Sequence, residues 1–456
     1  MLNAMSVNEK TRTPTGDSDV PSPDRSSATS QTRDQIMREP DAQQQAGHPI
    51  PALSGPPNGG RTAWIQVLCG FFLFFNTFGL LTTFGVFQTY YESPSSPFKR
   101  SSSDISWIGS IQSFLLQFVG IFAGPIYDKG HLRVLLSVGT FGIVFGHMML
   151  SIASEYWQVL LAQGFCVGLG MGCLYLPSIS ILPSYFSTRL GLAIGLASSG
   201  SGVGGVIFPI VMQRMIDQIG FAWAVRVVGF ITLVALSLPV SLMRMRVKPA
   251  AARDLIDWSA FADLPFVWFA IATSVGFMGI NAFQIFFAFY AAEQQITTTA
   301  FAFNLVSIYN GMSAVGRIIP NAVSDKVGQW NILAPATLAC SAVYFCAMAT
   351  HSKGPMIGIT LLGGFFLGVL TALPPVCFAI LTKDKSKLGT RIGTGFALIA
   401  PGVLIGGPGA GGILQRTDPL DWRGLFIFAG TAMFVCSMMY TVLRVARSGF
   451  RPFIKA

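Results

Sequence analysis

Gly311–Gly328, GMSAVGRIIPNAVSDKVG, sets Arg317 inside an otherwise apolar span and follows it, where the span ends, with Asp325, Lys326 and Gly328. A guanidinium keeps its proton in any protein. At membrane depth it therefore needs a partner, a water-filled cavity or a route to the surface. Placing an arginine at the centre of a membrane helix costs roughly 2.5–3.5 kcal/mol on insertion scales. A charge retained at that cost marks a functional position. The competing reading is that Arg317 lies near enough to the end of its span to snorkel. Asp325 is eight residues further on, about 12 Å at 1.5 Å per residue, and an arginine stem covers roughly half of that. The spacing favours function.

The composition places that arginine in a bilayer. Of the 456 residues 52% are hydrophobic and only 11% charged, against about 25% charged in soluble domains. The net charge of +10 does not point to nucleic acid, because the basic residues sit in short connections beside apolar spans. All seven cysteines fall within apolar spans at no metal-ligand spacing. They read as small packing residues, and neither a metal nor another cofactor is expected. An enzyme would need a nucleophile–base pair or a metal cluster, and the sequence offers neither.

Residues 1–60, rich in Ser, Thr, Pro and Gln, cannot bury enough apolar surface to fold and read as a disordered tail. Twelve spans of bilayer length follow: 64–90, 106–127, 134–153, 157–182, 190–216 and 223–243, then 265–291, 300–323, 332–350, 355–381, 388–414 and 424–445. The expected organisation is an N-terminal six-helix half over 61–243, a polar linker over 244–264, a C-terminal half over 265–446 and a short tail over 447–456. Twelve Lys and Arg, among them Lys129, Arg189, Arg244, Lys326 and Arg391, lie in one set of connections, against seven in the other. The richer set shares its side with both tails, which puts that side in the cytoplasm.

The halves repeat. Asp128-Lys129 matches Asp325-Lys326, and Leu176-Pro177 matches Leu373-Pro374, both at an offset of 197. Past the tenth span the offset lengthens to 202, where Thr188-Arg189-Leu190-Gly191 matches Thr390-Arg391-Ile392-Gly393. Two parallel six-helix halves around a central cavity follow from such a repeat. The fold class is thus an all-α integral membrane protein.

Gly124-Pro-Ile-Tyr-Asp128-Lys129-Gly130 joins the second and third spans, and Asp325-Lys326-Val-Gly328 repeats it in part. An aspartate at a helix end can bond the start of a neighbouring helix, and glycines permit the tight turn. The loop resembles the G-x-x-x-D-[RK]-x-G loop of the major facilitator superfamily. Asn58-Gly-Gly-Arg-Thr-Ala-Trp64 and Tyr185-Phe186-Ser-Thr-Arg189-Leu-Gly191 resemble the two signatures of its monocarboxylate-porter family, in the fungal branch. The likeness covers roughly 58–450. It implies a transporter of a small, monocarboxylate-like organic anion that works by alternating access, secondary active or facilitative. Asp128, Lys129, Gly124, Gly130, Asp325, Lys326 and Arg189 are the expected gating and latch residues. The resemblance makes Arg317 the ligand of the substrate carboxylate. Around it, Asn310, Ser313, Asn281, Gln284, Asn76 and Tyr309 are candidate substrate contacts.

Two departures bear on mechanism. Ser313 stands where the family's animal lactate carriers have an aspartate, and Leu80-Leu-Thr82-Thr83 is uncharged where they have a lysine. No acidic residue is left at mid-membrane to neutralise Arg317, so proton coupling stays open. Export of a carboxylated secondary metabolite, or a non-transporting sensor on the same fold, are the alternatives. The plasma membrane is the expected address.

Overall fold

A chain inside a bilayer must satisfy its own backbone hydrogen bonds, and long apolar stretches do so as helices. The computed structural model describes residues 56–93, 96, 98–246, 257–415 and 420–449, and no strand occurs among them. The tail over 1–55, the linker centre over 247–256 and residues 450–456 lie outside the described residues. The helices are α1 (Arg61–Glu92), α2 (Asp104–Asp128), α3 (Leu132–Leu150), α4 (Tyr156–Ser184), α5 and α6 (190–219 and 221–242), α7 (Leu264–Glu293), α8 (Thr299–Val327), α9 (Gln329–Ala349), α10 (Lys353–Leu381), α11 (Leu388–Leu414) and α12 (Trp422–Ser448).

Ten described helices are long and apolar enough to cross a membrane. Two physical facts raise the number to twelve. Leu190–Leu242 is continuous except at Gly220, whose φ of 78° breaks the helical run and separates α5 from α6. A positive φ is cheap only for glycine. α8 has the length of its neighbours but is the polar one. It carries Asn304, Tyr309, Asn310, Ser313, Arg317 and Asn321.

Inside α1 the helix widens into a π-helical segment, Phe75–Gly79, the kind of bulge often found at functional positions. Across the molecule α5 runs against α8 and α2 against α11, so each half lends one helix to each seam. Small residues allow the close approach. A Cβ on Gly195 would come within 2.3 Å of the Arg317 carbonyl oxygen, and one on Gly393 within 2.0 Å of the Gly120 carbonyl oxygen.

The two signature stretches turn out to be one contact. Asn58 Oδ1 accepts hydrogen bonds from the backbone N–H of Ser187 (2.6 Å) and Thr188 (2.9 Å), while the Asn58 N–H donates to the Tyr185 carbonyl oxygen (3.0 Å). Trp64 packs edge-on against Phe186 at 5.3 Å. The entry to α1 is thereby pinned to the turn before α5, so Asn58, read as part of the tail, belongs to the helical body.

Candidate functional site

The residues expected to form a latch occupy one end of the seams. The Asp128 carboxylate, at the end of α2, accepts from the N–H groups of Gly389 (3.0 Å) and Thr390 (2.7 Å) and from Thr390 Oγ1 (2.7 Å). Asp325, at the end of α8, accepts from the N–H groups of Gly191 (2.7 Å) and Leu192 (2.9 Å). Each aspartate caps the first turn of a helix in the opposite half, where free N–H groups and the positive end of the helix dipole favour an anion. Gly124 makes the Asp128 contact sterically possible, since a Cβ there would sit 2.6 Å from the Gly389 carbonyl oxygen. Gly130 and Gly328, with φ of 88° and 102°, turn the chain out of α2 and α8. Lys129, Lys326 and Arg189 are exposed.

These caps also revise the repeat. Gly389 and Thr390 stand where Gly191 and Leu192 stand, an offset of 198 and not the 202 of the sequence match. The difference is about one helical turn, which leaves the same residues on the same face and so escapes a pattern search. At the offset of 197 that relates α2 to α8, Gly120 is the counterpart of Arg317, and their carbonyls meet Gly393 and Gly195 in the same way, so the charge belongs to one half only.

Arg317 does not snorkel. It is 5% exposed, its carbonyl against Gly195 of α5. Among the described residues its one side-chain hydrogen bond runs from Nε to Ser313 Oγ at 3.4 Å, and no carboxylate of those residues pairs with it. Ser313 and Asn310 lie on the same face of α8, and Asn310 points at Gly205 of α5.

None of the other expected contacts bonds Arg317 among the described residues. Asn76, in the π segment, donates to the Phe72 carbonyl oxygen (2.8 Å) and leaves its own Oδ1 buried without a partner. Asn281 donates to the Phe277 carbonyl oxygen (2.8 Å) and faces Gly406 of α11. Gln284 lies one turn further along α7 and makes no hydrogen bond among the described residues. Tyr309 turns away from the seam. Its hydroxyl lies 3.4 Å from that of Tyr344, and its ring packs against Phe283 and Phe287 in the core of the C-terminal half. His147 bonds the Ile143 carbonyl of its own helix (2.7 Å), as a buried structural histidine does.

Beside the Asp128 cap lies an ion cluster that the sequence reading did not single out. Asp257 pairs with Lys387 (3.1 Å) and Arg391 (3.2 Å), and Arg391 also reaches Asp263 (2.9 Å) and Ser259 (3.2 Å). It ties the linker's end to the first turn of α11. Burial raises the Asp257 pKa, but Ser259, Lys387 and Arg391 outweigh it and hold the group at about 2. The signal was present in the match of Arg391 to Arg189, read one turn out of register.

A Major Facilitator Superfamily profile matches residues 64–359. The chain belongs to that superfamily. It is 53% identical to the MFS-type transporter dbaD of Emericella nidulans, over 84% of this chain and 86% of that protein. It is 34% identical to the aspyridones efflux protein apdF of the same organism, over 83% and 78% of the two chains. Among solved structures it resembles the transporter FucP in its outward conformation, with a TM-score of 0.64 at 16% identity, covering 84% of this chain and 99% of that one. The chain is therefore a multi-pass membrane transporter of this superfamily.

Proposed function

We propose that this transporter is an alternating-access carrier for a small organic anion, that it works in export, and that Arg317 binds the anion's carboxylate. The observation that carries the reading is a buried guanidinium with one long hydrogen bond and no carboxylate partner among the described residues. A carboxylate meets a guanidinium through two parallel hydrogen bonds, so an anionic cargo completes what the protein leaves open. The resemblance to monocarboxylate porters supports an anion. The likeness to the aspyridones efflux protein supports export.

With the latch side taken as cytoplasmic from its excess of Lys and Arg, the two aspartate caps hold the cytoplasmic end closed. Opening requires both caps to break, which exposes the Arg317 seam to the cytoplasm for loading. The plasma membrane is the proposed address. Efflux from inside-loaded membrane vesicles, with a panel of labelled organic acids and their neutral methyl esters, tests the reading. Acids should be carried and esters should neither be carried nor compete. Equal competition by the esters would remove the anion from the account.

A further inference from the structure

At the membrane end opposite the aspartate caps, two adjoining cavities flank the turn between α3 and α4 and meet at Trp157. The first, about 300 Å³, is an apolar groove lined by Phe145 and Met149 of α3, Ile152 of the turn and Leu161 of α4. All four side chains are exposed on the outside of the helical body. In a chain that spans a bilayer that surface meets lipid, so an acyl chain covers the groove. A chain gains little by leaving the bilayer for an equally apolar surface. Selectivity must therefore come from the headgroup.

The second cavity, about 330 Å³, is lined by Lys99, Arg100, Glu155 and Tyr156. The connection before α2 is fastened to α4 through Tyr156. Phe98 packs edge-on against that ring at 6.1 Å, and the Arg100 guanidinium lies 5.6 Å from its centre. The Tyr156 hydroxyl donates to the Asp104 carbonyl oxygen (2.8 Å). Arg100 is thereby held in the cavity wall beside Lys99, and neither cation forms an ion pair among the described residues. The cavity's carboxylate is turned to the indole, where Glu155 Oε2 accepts from Trp157 Nε1 (2.5 Å). Paired cations suit a phosphate, and an exposed aromatic ring beside a carboxylate suits a quaternary ammonium.

We propose that the two cavities form one site for a phosphatidylcholine molecule. Lys99 and Arg100 take the phosphate, the trimethylammonium lies against the Trp157 ring and the Glu155 carboxylate, and one acyl chain follows the groove between α3 and α4. Phosphatidylglycerol offers the same phosphate and leaves Trp157 and Glu155 without a cation. An exposed cation–π contact is worth roughly two- to fivefold in affinity. The site lies apart from the seams and stands whatever the cargo is.

The test strips the full-length protein of lipid by detergent exchange and titrates it with phosphatidylcholine or phosphatidylglycerol, counting bound molecules by native mass spectrometry. One phosphatidylcholine should bind ahead of the rest, about fivefold more tightly than the first phosphatidylglycerol. Lys99→Ala combined with Arg100→Ala, both exposed and so compatible with the fold, should weaken both lipids about tenfold. Trp157→Leu should erase the preference and leave phosphatidylglycerol unmoved. A graded series with no first tight molecule, which is annular lipid only, would overturn the site, as would a first molecule unmoved by the paired charge variant. Phosphatidylglycerol bound as tightly as phosphatidylcholine, or a preference that survives Trp157→Leu, would overturn the headgroup assignment and the proposal with it.

Discussion

At the scale of single residues, burial and hydrogen bonding separate the charged groups into two kinds. Asp257 is fully paired, and its carboxyl is held below the ordinary value of 3.8 at about 2. A depressed pKa means that the stabilisation is complete above the unfolded value and is lost as pH falls from about 4 through 2. Asp257→Asn should therefore lower stability by about 1–3 kcal/mol at pH 7, since it removes hydrogen bonds to two cations. Thermal unfolding in detergent should show the gap from wild type narrowing only below pH 4. A gap that closes between pH 7 and 5 would mean that another group titrates. Arg317, by contrast, is buried and under-bonded. Its singularity was legible in the sequence as the one charge deep in a span. Which neighbours surround it was not. Tyr309, Asn281 and Gln284 are polar residues in neighbouring spans, and only rotation about each helix axis decides whether they face a seam or a bundle core.

Helices are the scale of the proposed latch. The Asp128 carboxylate is buried where that of Asp325 is half-buried, so the hydrogen bonds it accepts from α11 are the more shielded from water. Asp128→Asn should therefore loosen the latch side more than Asp325→Asn, and the double variant more than either. Hydrogen bonds to a charged group are worth about 1.5–3 kcal/mol, roughly ten- to a hundredfold in a two-state population. Labelling of a seam cysteine from the latch side should rise in that order, and labelling that does not change across the series would remove the latch. Gly124→Val should act in the same direction through sterics, because its Cβ would meet the α11 backbone at 2.6–2.9 Å. Unchanged labelling in that variant would show that the α2–α11 approach does not depend on the glycine. The two Asp-Lys loops could be read from the repeat. Their targets could not, because a cap forms between helices distant in the chain, and a one-turn shift leaves the amphipathic pattern intact.

For the whole molecule, the even number of spans and the asymmetry of Lys and Arg predict a topology. Tags at Ser101 and at the C-terminus should be reached from opposite faces of the membrane, and accessibility from one face would rule that arrangement out. Span length and apolarity carried the fold class because a bilayer admits few alternatives. Only α8 departs in composition, and its polar face is the part of the fold that meets α5 at the seam. The measurement that bears most directly on the central claim is transport of an organic acid by Arg317 variants that reach the membrane at wild-type levels. Arg317→Lys keeps the charge and loses the fork, so affinity should fall roughly ten- to a hundredfold, and Arg317→Ala should abolish transport. Wild-type rates and affinities in both variants would contradict the account.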